Sequence, residues 1–370
     1  MNFLLLAGES SGDLHGANLI KNLRKFYPES TFYCFGGDKM AEAGARLLLH
    51  YREMAFMGFY EVVKNLPKIL KNLNYCKNWI TENRPDAIIY IDFPGFNMRI
   101  AKFAKAKGYL NIYYISPQIW AWKERRVYQI KRDIDLMITI LPFEKNFYEK
   151  YDYAVEYVGH PLYDALEEYL NPSPTQNNRL YDIAFLPGSR LQEVHNILPV
   201  MAETARRNPE YSFVVAGAPS VDKNIYASHI SAITNIELHF GKTYELLSCS
   251  KAAIVTSGTA TLETALLGVP LAVVYKGSPV SYWIAKQLVK VKYISLVNLI
   301  LGKEAVPELI QSECSVYKVE DWVRKLLEDQ KVIEAQKAEF MKLREILGGK
   351  GASKRAATAI YNYIERNKNA

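Results

Sequence analysis

The sequence predicts an α/β protein of two domains, each built on a parallel sheet with helices on both faces. Three observations carry this prediction. Short apolar runs alternate with amphipathic helical stretches along the whole chain. A Pro/Ser/Asn segment without periodicity, NPSPTQNN at 171–178, interrupts the pattern near the middle and reads as a linker. The length, 370 residues, exceeds what one hydrophobic core ordinarily organises. The apolar runs read as strands at 2–7, 31–35, 87–91, 111–115, 136–140 and 155–158. After the break they continue at 182–186, 212–216, 252–255 and 271–275. Two helical stretches, about 319–346 and 352–366, close the chain around GGKG. The expected division is 1–170, linker 171–178 and 179–346, the two sheets facing a cleft. In such sheets ligands sit beyond the carboxyl ends of the strands.

Composition narrows the class. With 49% hydrophobic and 23% charged residues the chain is an ordinary globular one. A formal charge of +7 suits a phosphate-bearing partner or an anionic membrane surface, and is too mild to imply nucleic acid. No run of eighteen apolar residues is present, so no membrane span is expected. The N-terminus enters a strand at once, without the basic start of a signal peptide. Cys34, Cys76, Cys249 and Cys314 share no metal-ligand spacing and read as reduced thiols of the cytoplasm.

The stretch LAGESSGDLHG, residues 6–16, runs a strand through glycines into a helix, a place where ligands often bind. Its glycines at 8, 12 and 16 do not fit the dinucleotide fingerprint, and Asp13 stands where a P-loop has its lysine. The second half offers two better phosphate seats. One is Pro187-Gly-Ser-Arg190. The other is Ser257-Gly258-Thr259, which opens a helix carrying Glu263. Backbone N–H groups at a helix start, beside Ser and Thr hydroxyls, suit phosphate oxygens. Arg190 adds a planar fork of donors, and Glu263 lies one turn on from Thr259, within reach of sugar hydroxyls. A tight turn with no ligand is the plain alternative for Gly258.

In the first half, YIDFPGFNMRIAK places Asp92 just past a strand, followed by Asn97. Glu9 stands at an equivalent strand end. Two carboxylates at the mouth of one sheet are candidates for a general base. The alternative is that each caps the next helix. His160 in YVGHPLYD sits at a turn, where a lone histidine is ordinarily a structural hydrogen-bonder. The segment YISPQIWAWKERRVYQIKR joins Trp120 and Trp122 to basic residues, either as plain packing or as a wall of the cleft.

One stretch bears on location. Residues 62, 66, 69, 73, 76 and 80 share one helical face, with Lys64, Lys68 and Lys71 opposite. Before them stands MAFMGF, in which Met54, Phe56, Met57 and Phe59 are unusually apolar for a loop. The segment reads either as a surface helix packed on its domain or as a basic, apolar patch resting on a membrane.

In this order, AGESSGDLHGA, DFPGFN, ISPQIWAWKERRV, LPFE, VGHPL, LPGSR, TSGTATLE and NLILGKEAVPELIQ resemble the lipid A disaccharide synthase family of glycosyltransferases. The resemblance covers most of the chain. It implies the GT-B architecture of two Rossmann-like domains, with residues 352–370 packed back on the first. It also implies transfer of 2,3-diacylglucosamine from its UDP donor to 2,3-diacylglucosamine 1-phosphate, with inversion and release of UDP. No cofactor and no catalytic metal are implied. The expected surroundings are the cytoplasmic face of the inner membrane, with a homodimer left open. On this reading Asp92 and Glu9 are catalytic, and Ser10, Ser11, Gly12, Asn97 and His160 border the acceptor. Arg190, Ser257, Gly258, Thr259, Glu263 and Asn298 hold the donor. The family's DxPxFN pattern varies at its fourth position, and here it carries Gly95 rather than a second acid.

Three rival readings differ in kind. A UDP-N-acetylglucosamine 2-epimerase would share the donor turns and have no use for the apolar segment at 54–80. A nicotinamide oxidoreductase would need the missing fingerprint. A non-catalytic acyl-sugar-binding protein would bind and release no UDP.

Overall fold

Central strands of a parallel sheet are buried on both faces and therefore read as unbroken apolar runs. In the computed structural model, which describes residues 1–54, 65–170, 180–278, 282 and 291–368, these runs form two separate sheets. The chain divides into one unit of Met1–Ala165 with Gly349–Ala370 and a second of Leu166–Gly348. Phe56, Met57, Phe59, Lys64 and the segment 171–178 lie outside the described residues.

The first unit contains β1 (Asn2–Ala7), β2 (Thr31–Gly36), β3 (Arg46–His50), β4 (Ala87–Ile91), β5 (Leu110–Tyr114), β6 (Leu136–Thr139) and β7 (Glu156–Tyr157). Their order is β3-β2-β1-β4-β5-β6-β7, and every pairing is parallel. The second contains β8 (Tyr181–Leu186), β9 (Phe213–Gly217), β10 (Ile236–Phe240), β11 (Ser250–Thr256), β12 (Leu271–Tyr275) and β13 (Glu308–Ile310). They run β10-β9-β8-β11-β12-β13, again all parallel. In each sheet the chain winds outward on one side of its first strand and then restarts on the other. This creates a switch point between β1 and β4, and another between β8 and β11. Crevices for ligands form at such reversals.

Three strands escape the sequence pattern, and all three are sheet edges. β3, β10 and β13 are only partly buried, so RLLLH, IELHF and ELI carry charges or are too short to stand out. The stretch expected as one helix at 319–346 is two, Val316–Glu328 and Gln330–Ile346. Asp329 separates them by turning its carboxylate to the N–H groups of Lys331 and Val332.

Glycines at every fourth position of 8–16 let the Ser10–Phe26 helix lie close on the sheet. A Cβ at Gly12 would stand 3.2 Å from that of Ala7, and one at Gly16 would stand 2.8 Å from Met40 Sδ and 3.1 Å from Ile91. The returning helix Ala352–Lys368 packs on the same helix through Phe26 and Tyr361, stacked at 4.8 Å. Asp164 fastens its start by accepting from Gly351 N and Ser353 N at 2.7 and 2.8 Å.

The helix Leu66–Asn83 departs from its expected faces. Leu73, Cys76 and Ile80 are buried as predicted by spacing, with Asn72 and Trp79 beside them. No residue before Asn72 in this helix is buried, so Leu66 and Leu70 are 46% and 52% exposed next to Lys68 and Lys71. Met54 is 4% exposed and belongs to the core, which corrects its place in a surface patch. Among the described residues no helix is long and apolar enough to cross a membrane.

Candidate functional site

The first switch point carries the carboxylates. β1 and β4 pair in register through Ala7 and Ile91, so Glu9 and Asp92 emerge from adjacent strands at one edge. Asp92 and Phe93 both adopt left-handed backbone, at φ 47° and 49°, although neither is glycine and Pro94 follows. Several contacts hold this strained turn. The Asp92 carbonyl accepts from Tyr113 Oη at 2.6 Å and from Asn97 Nδ2 at 2.7 Å. The Phe93 ring fills the space where a Gly8 side chain would begin, 2.2 Å from the Cβ position. Burial and then the nearby Glu9 charge push the Asp92 carboxyl up to about 7, while its hydrogen bond from Phe93 N–H acts the other way. The Asp92 residue is itself exposed, so the crowding of surrounding chain dehydrates it only in part and fixes the upward direction more firmly than its size. A carboxyl with this balance can take a proton near neutral pH.

Neighbouring sequence candidates take other places. Ser10 and Ser11 are exposed at the start of the Ser10–Phe26 helix, and Glu9 is its N-cap without a side-chain capping bond. Gly12 is buried against β1. Asn97 is fully buried, and its amide also donates to Leu6 O at 3.2 Å, tying the ends of β1 and β4. It therefore shapes the turn from beneath. His160 is 3% exposed, accepts from Leu162 N at 3.3 Å, and is driven down to about 3 by burial and by His15. That is the structural histidine, not a proton donor at neutral pH.

The second switch point carries both glycine turns, and the two differ. After β8, Gly188 at φ 113° leaves room for Glu193, whose carboxylate accepts from Ser189 N and Arg190 N at 3.0 and 3.3 Å. The backbone donors expected to face phosphate are thus already satisfied by the chain's own carboxylate. Arg190 Nη1 also meets Glu193 at 3.1 Å, while its side chain remains 48% exposed. After β11 no such cap exists. Gly258 adopts φ 157°, ψ −165°, a conformation left to glycine, and no side chain caps the helix Thr259–Leu266. A Cβ at Gly258 would meet nothing within 4 Å, and of the first-turn N–H groups that of Thr261 is already bonded, to Gly258 O at 3.1 Å. Of the two turns, this is the one without a side-chain cap.

Ser257 Oγ donates to Ile294 O at 3.0 Å, and Glu263 accepts from Tyr244 Oη at 2.9 Å. Asn298 is fully buried with its amide engaged on both sides. It donates to Val306 O and Glu308, and it accepts from Ala305 N and Val306 N. Its side chain folds the loop before β13. The sequence reading missed Tyr113 and Glu193. Tyr113 gave no signal, being one more apolar-run residue of β5. Glu193 did, since an acid three residues after an N-cap is the spacing of a capping box.

The fold and the sequence can be compared with known proteins separately. A solved UDP-GlcNAc 2-epimerase from Neisseria meningitidis, bound to UDP-GlcNAc, superposes with TM-score 0.66. It is 13% identical, with 99% of this chain and 100% of that one covered. CalG4, the calicheamicin glycosyltransferase, gives TM-score 0.60 at 16% identity, covering 99% and 98%. These likenesses show two Rossmann-like domains of the GT-B kind, an architecture that epimerases and transferases share, and they do not choose an activity. Sequence does choose. The lipid-A-disaccharide synthase of Myxococcus xanthus is 38% identical over 377 residues, covering 98% of this chain and 97% of that protein. With a model of lipid-A-disaccharide synthetase matching residues 3–361 as well, the chain belongs to that glycosyltransferase family.

Proposed function

We propose that this enzyme joins UDP-2,3-diacylglucosamine to 2,3-diacylglucosamine 1-phosphate by a single inverting displacement. The observation that carries the reading is the Glu9–Asp92 pair at the β1/β4 switch point. Asp92 takes the proton of the attacking acceptor hydroxyl as its oxygen bonds to the anomeric carbon. The bond from that carbon to the diphosphate oxygen breaks, and UDP departs with the electron pair. A positioned base of this kind contributes roughly 10²–10⁴ in rate. Glu9 keeps the Asp92 pKa high and orients the acceptor sugar.

On the donor side, the open helix start at Gly258–Thr259 receives the diphosphate, and Arg190 supplies a charged fork beside it. With the departing diphosphate stabilised in this way, UDP needs no general acid. No cofactor takes part. The enzyme rests on the cytoplasmic face of the inner membrane, where Leu66 and Leu70, flanked by Lys68 and Lys71, offer apolar and basic contact.

The test is UDP release with the diacyl donor, with and without acceptor. Asp92→Asn should keep UDP binding by calorimetry and lose at least a hundredfold in turnover, and EDTA should change nothing. Arg190→Ala should weaken UDP binding about ten- to a hundredfold, the cost of one charge-assisted bond. Near-normal turnover in Asp92→Asn, with Glu9→Gln inactive and still binding both substrates, would transfer the base to Glu9. UDP release that ignores the acceptor would remove the transferase reading.

A further inference from the structure

The loop after β5 is the part of the first unit that the proposed chemistry leaves unused. β5 pairs beside β4 with Tyr114 opposite Ile91, so this loop leaves the sheet next to the strand end that carries Asp92. It forms the short helix Ile119–Trp122 and then a turn of 3₁₀ helix, Glu124–Arg126. The four residues Lys123-Glu124-Arg125-Arg126 hold three cations and one carboxylate. Trp122 is 47% exposed, and Lys123 Nζ lies 4.0 Å from its ring centroid, with the Arg126 guanidinium 6.0 Å from the same ring. The indole thus holds two cations at one point on the surface.

We propose that Lys123 and Arg126, gathered on Trp122, bind the phosphate monoester of the acceptor and so select a phosphorylated sugar. The proposal rests on the transferase reading above. Two further facts favour it. Lys123 is shifted downward by partial burial and by the Arg126 charge, so the two cations repel one another and a dianion between them would relieve both. The Tyr113 hydroxyl feels Arg126 and Asp92 together, and it donates to the Asp92 carbonyl. Because the loop leaves the sheet next to the strand end that carries Asp92, a phosphate bound there would hold its sugar on the side of the base. The underside of the loop is rigid as well. Trp120 Nε1 donates to buried Glu144 at 3.2 Å, and Glu144 in turn accepts from Ile140 N and Leu141 N. A fixed support of this kind keeps the cations from swinging away.

The experiment compares the acceptor 1-phosphate with its dephosphorylated counterpart in neutral detergent micelles. The readout is the ratio of their kcat/KM values. Lys123→Ala and Arg126→Ala should each lower that ratio about ten- to a hundredfold, and Arg126→Lys should recover part of it by restoring charge without the fork. Thermal melts of each variant check folding, and Arg126→Gln serves if the alanine variant melts early. A ratio unchanged in the variants overturns the proposal, as does a wild-type ratio near one. Sedimentation with phosphatidylcholine vesicles containing phosphatidylglycerol separates the other source of phosphate. Variants that lose vesicle binding yet keep the wild-type ratio assign these cations to lipid headgroups and overturn the proposal. Absence of acceptor-dependent UDP release from the wild type is a different result, and it overturns the function beneath the proposal.

Discussion

Asp13 and Asp92 both lie near the carboxyl edge of one sheet, yet the chain around each gives it a different task. Asp13 is buried and accepts from Gly37 N, Lys39 N and Met40 N at 2.8, 3.1 and 3.1 Å, which fills its oxygens and fixes the start of the helix Asp38–Glu42. Asp92 keeps solvent contact and faces a second carboxylate instead of three donors. The difference predicts the pH profile. If Asp92 is the base, kcat/KM rises with pH through about 7, because the proton must be off before it can accept another. Glu9 opposes that ionisation, so Glu9→Gln should let Asp92 ionise earlier and move the rising limb to lower pH. Measured pH–rate profiles of wild type and Glu9→Gln decide the matter. A limb that stays in place in an active Glu9→Gln enzyme would show that the two carboxylates do not interact.

At the scale of elements, turns decide what the strands deliver. The β4 turn is strained and the β1 turn beside it lacks a side chain, and the two conditions belong together through the Phe93 ring on Gly8. Gly8→Ala should therefore displace the Asp92–Phe93 turn and reduce turnover more than it reduces UDP binding, since the proposed donor seat lies in the other unit. Equal loss of both would contradict this. In the Leu66–Asn83 helix the exposed leucines precede the packed turns. Leu66→Ser with Leu70→Ser should lower vesicle sedimentation about tenfold or more per leucine that inserts, with an unchanged melting temperature because neither side chain is buried. Undiminished sedimentation would dismiss this helix as the membrane contact.

For the molecule as a whole, the first unit contains opposed titrations. Burial lowers His15 to about 4 and His160 to about 3, so the folded chain binds fewer protons than the unfolded one below the usual 6.5. Their stabilisation is complete above that value and is lost as pH falls. Glu144 does the reverse. Burial raises it to about 7 from 4.5 despite bonds from Leu141 N, Trp120 and Ile140 N, so the folded chain binds an extra proton and gains stability on acidification. Asp92, raised to about 7 from 3.8, acts with Glu144, so between pH 6.5 and 4.5 two carboxyls oppose two histidines and melting temperature should change little. Glu144→Gln should make it fall more steeply with acid, and His160→Gln less steeply. Parallel slopes in all three proteins would show that the groups do not titrate on unfolding.

The sequence by itself determined what local chemistry determines. Doubly buried strands such as Phe-Leu-Leu-Leu-Ala in β1 and Ala-Ile-Ile-Tyr-Ile in β4 must be apolar, so their number and parallel sense were legible from composition and spacing. Edge strands carry no such constraint, and β3, β10 and β13 were not legible. The motif residues fixed the family, because their order along the chain is itself a signal. What each polar side chain does was decided by neighbours distant in sequence. Asn298 and His160 look like site residues in a motif, and both make internal hydrogen bonds that the motif does not reveal. Of two similar glycine turns, one is filled by Glu193 and the other is left open. Glu9 and Asp92 are 83 residues apart and form a pair only because β4 returns to lie beside β1. Charge interaction depends on distance in space, and a linear pattern does not contain that distance until the sheet is assembled.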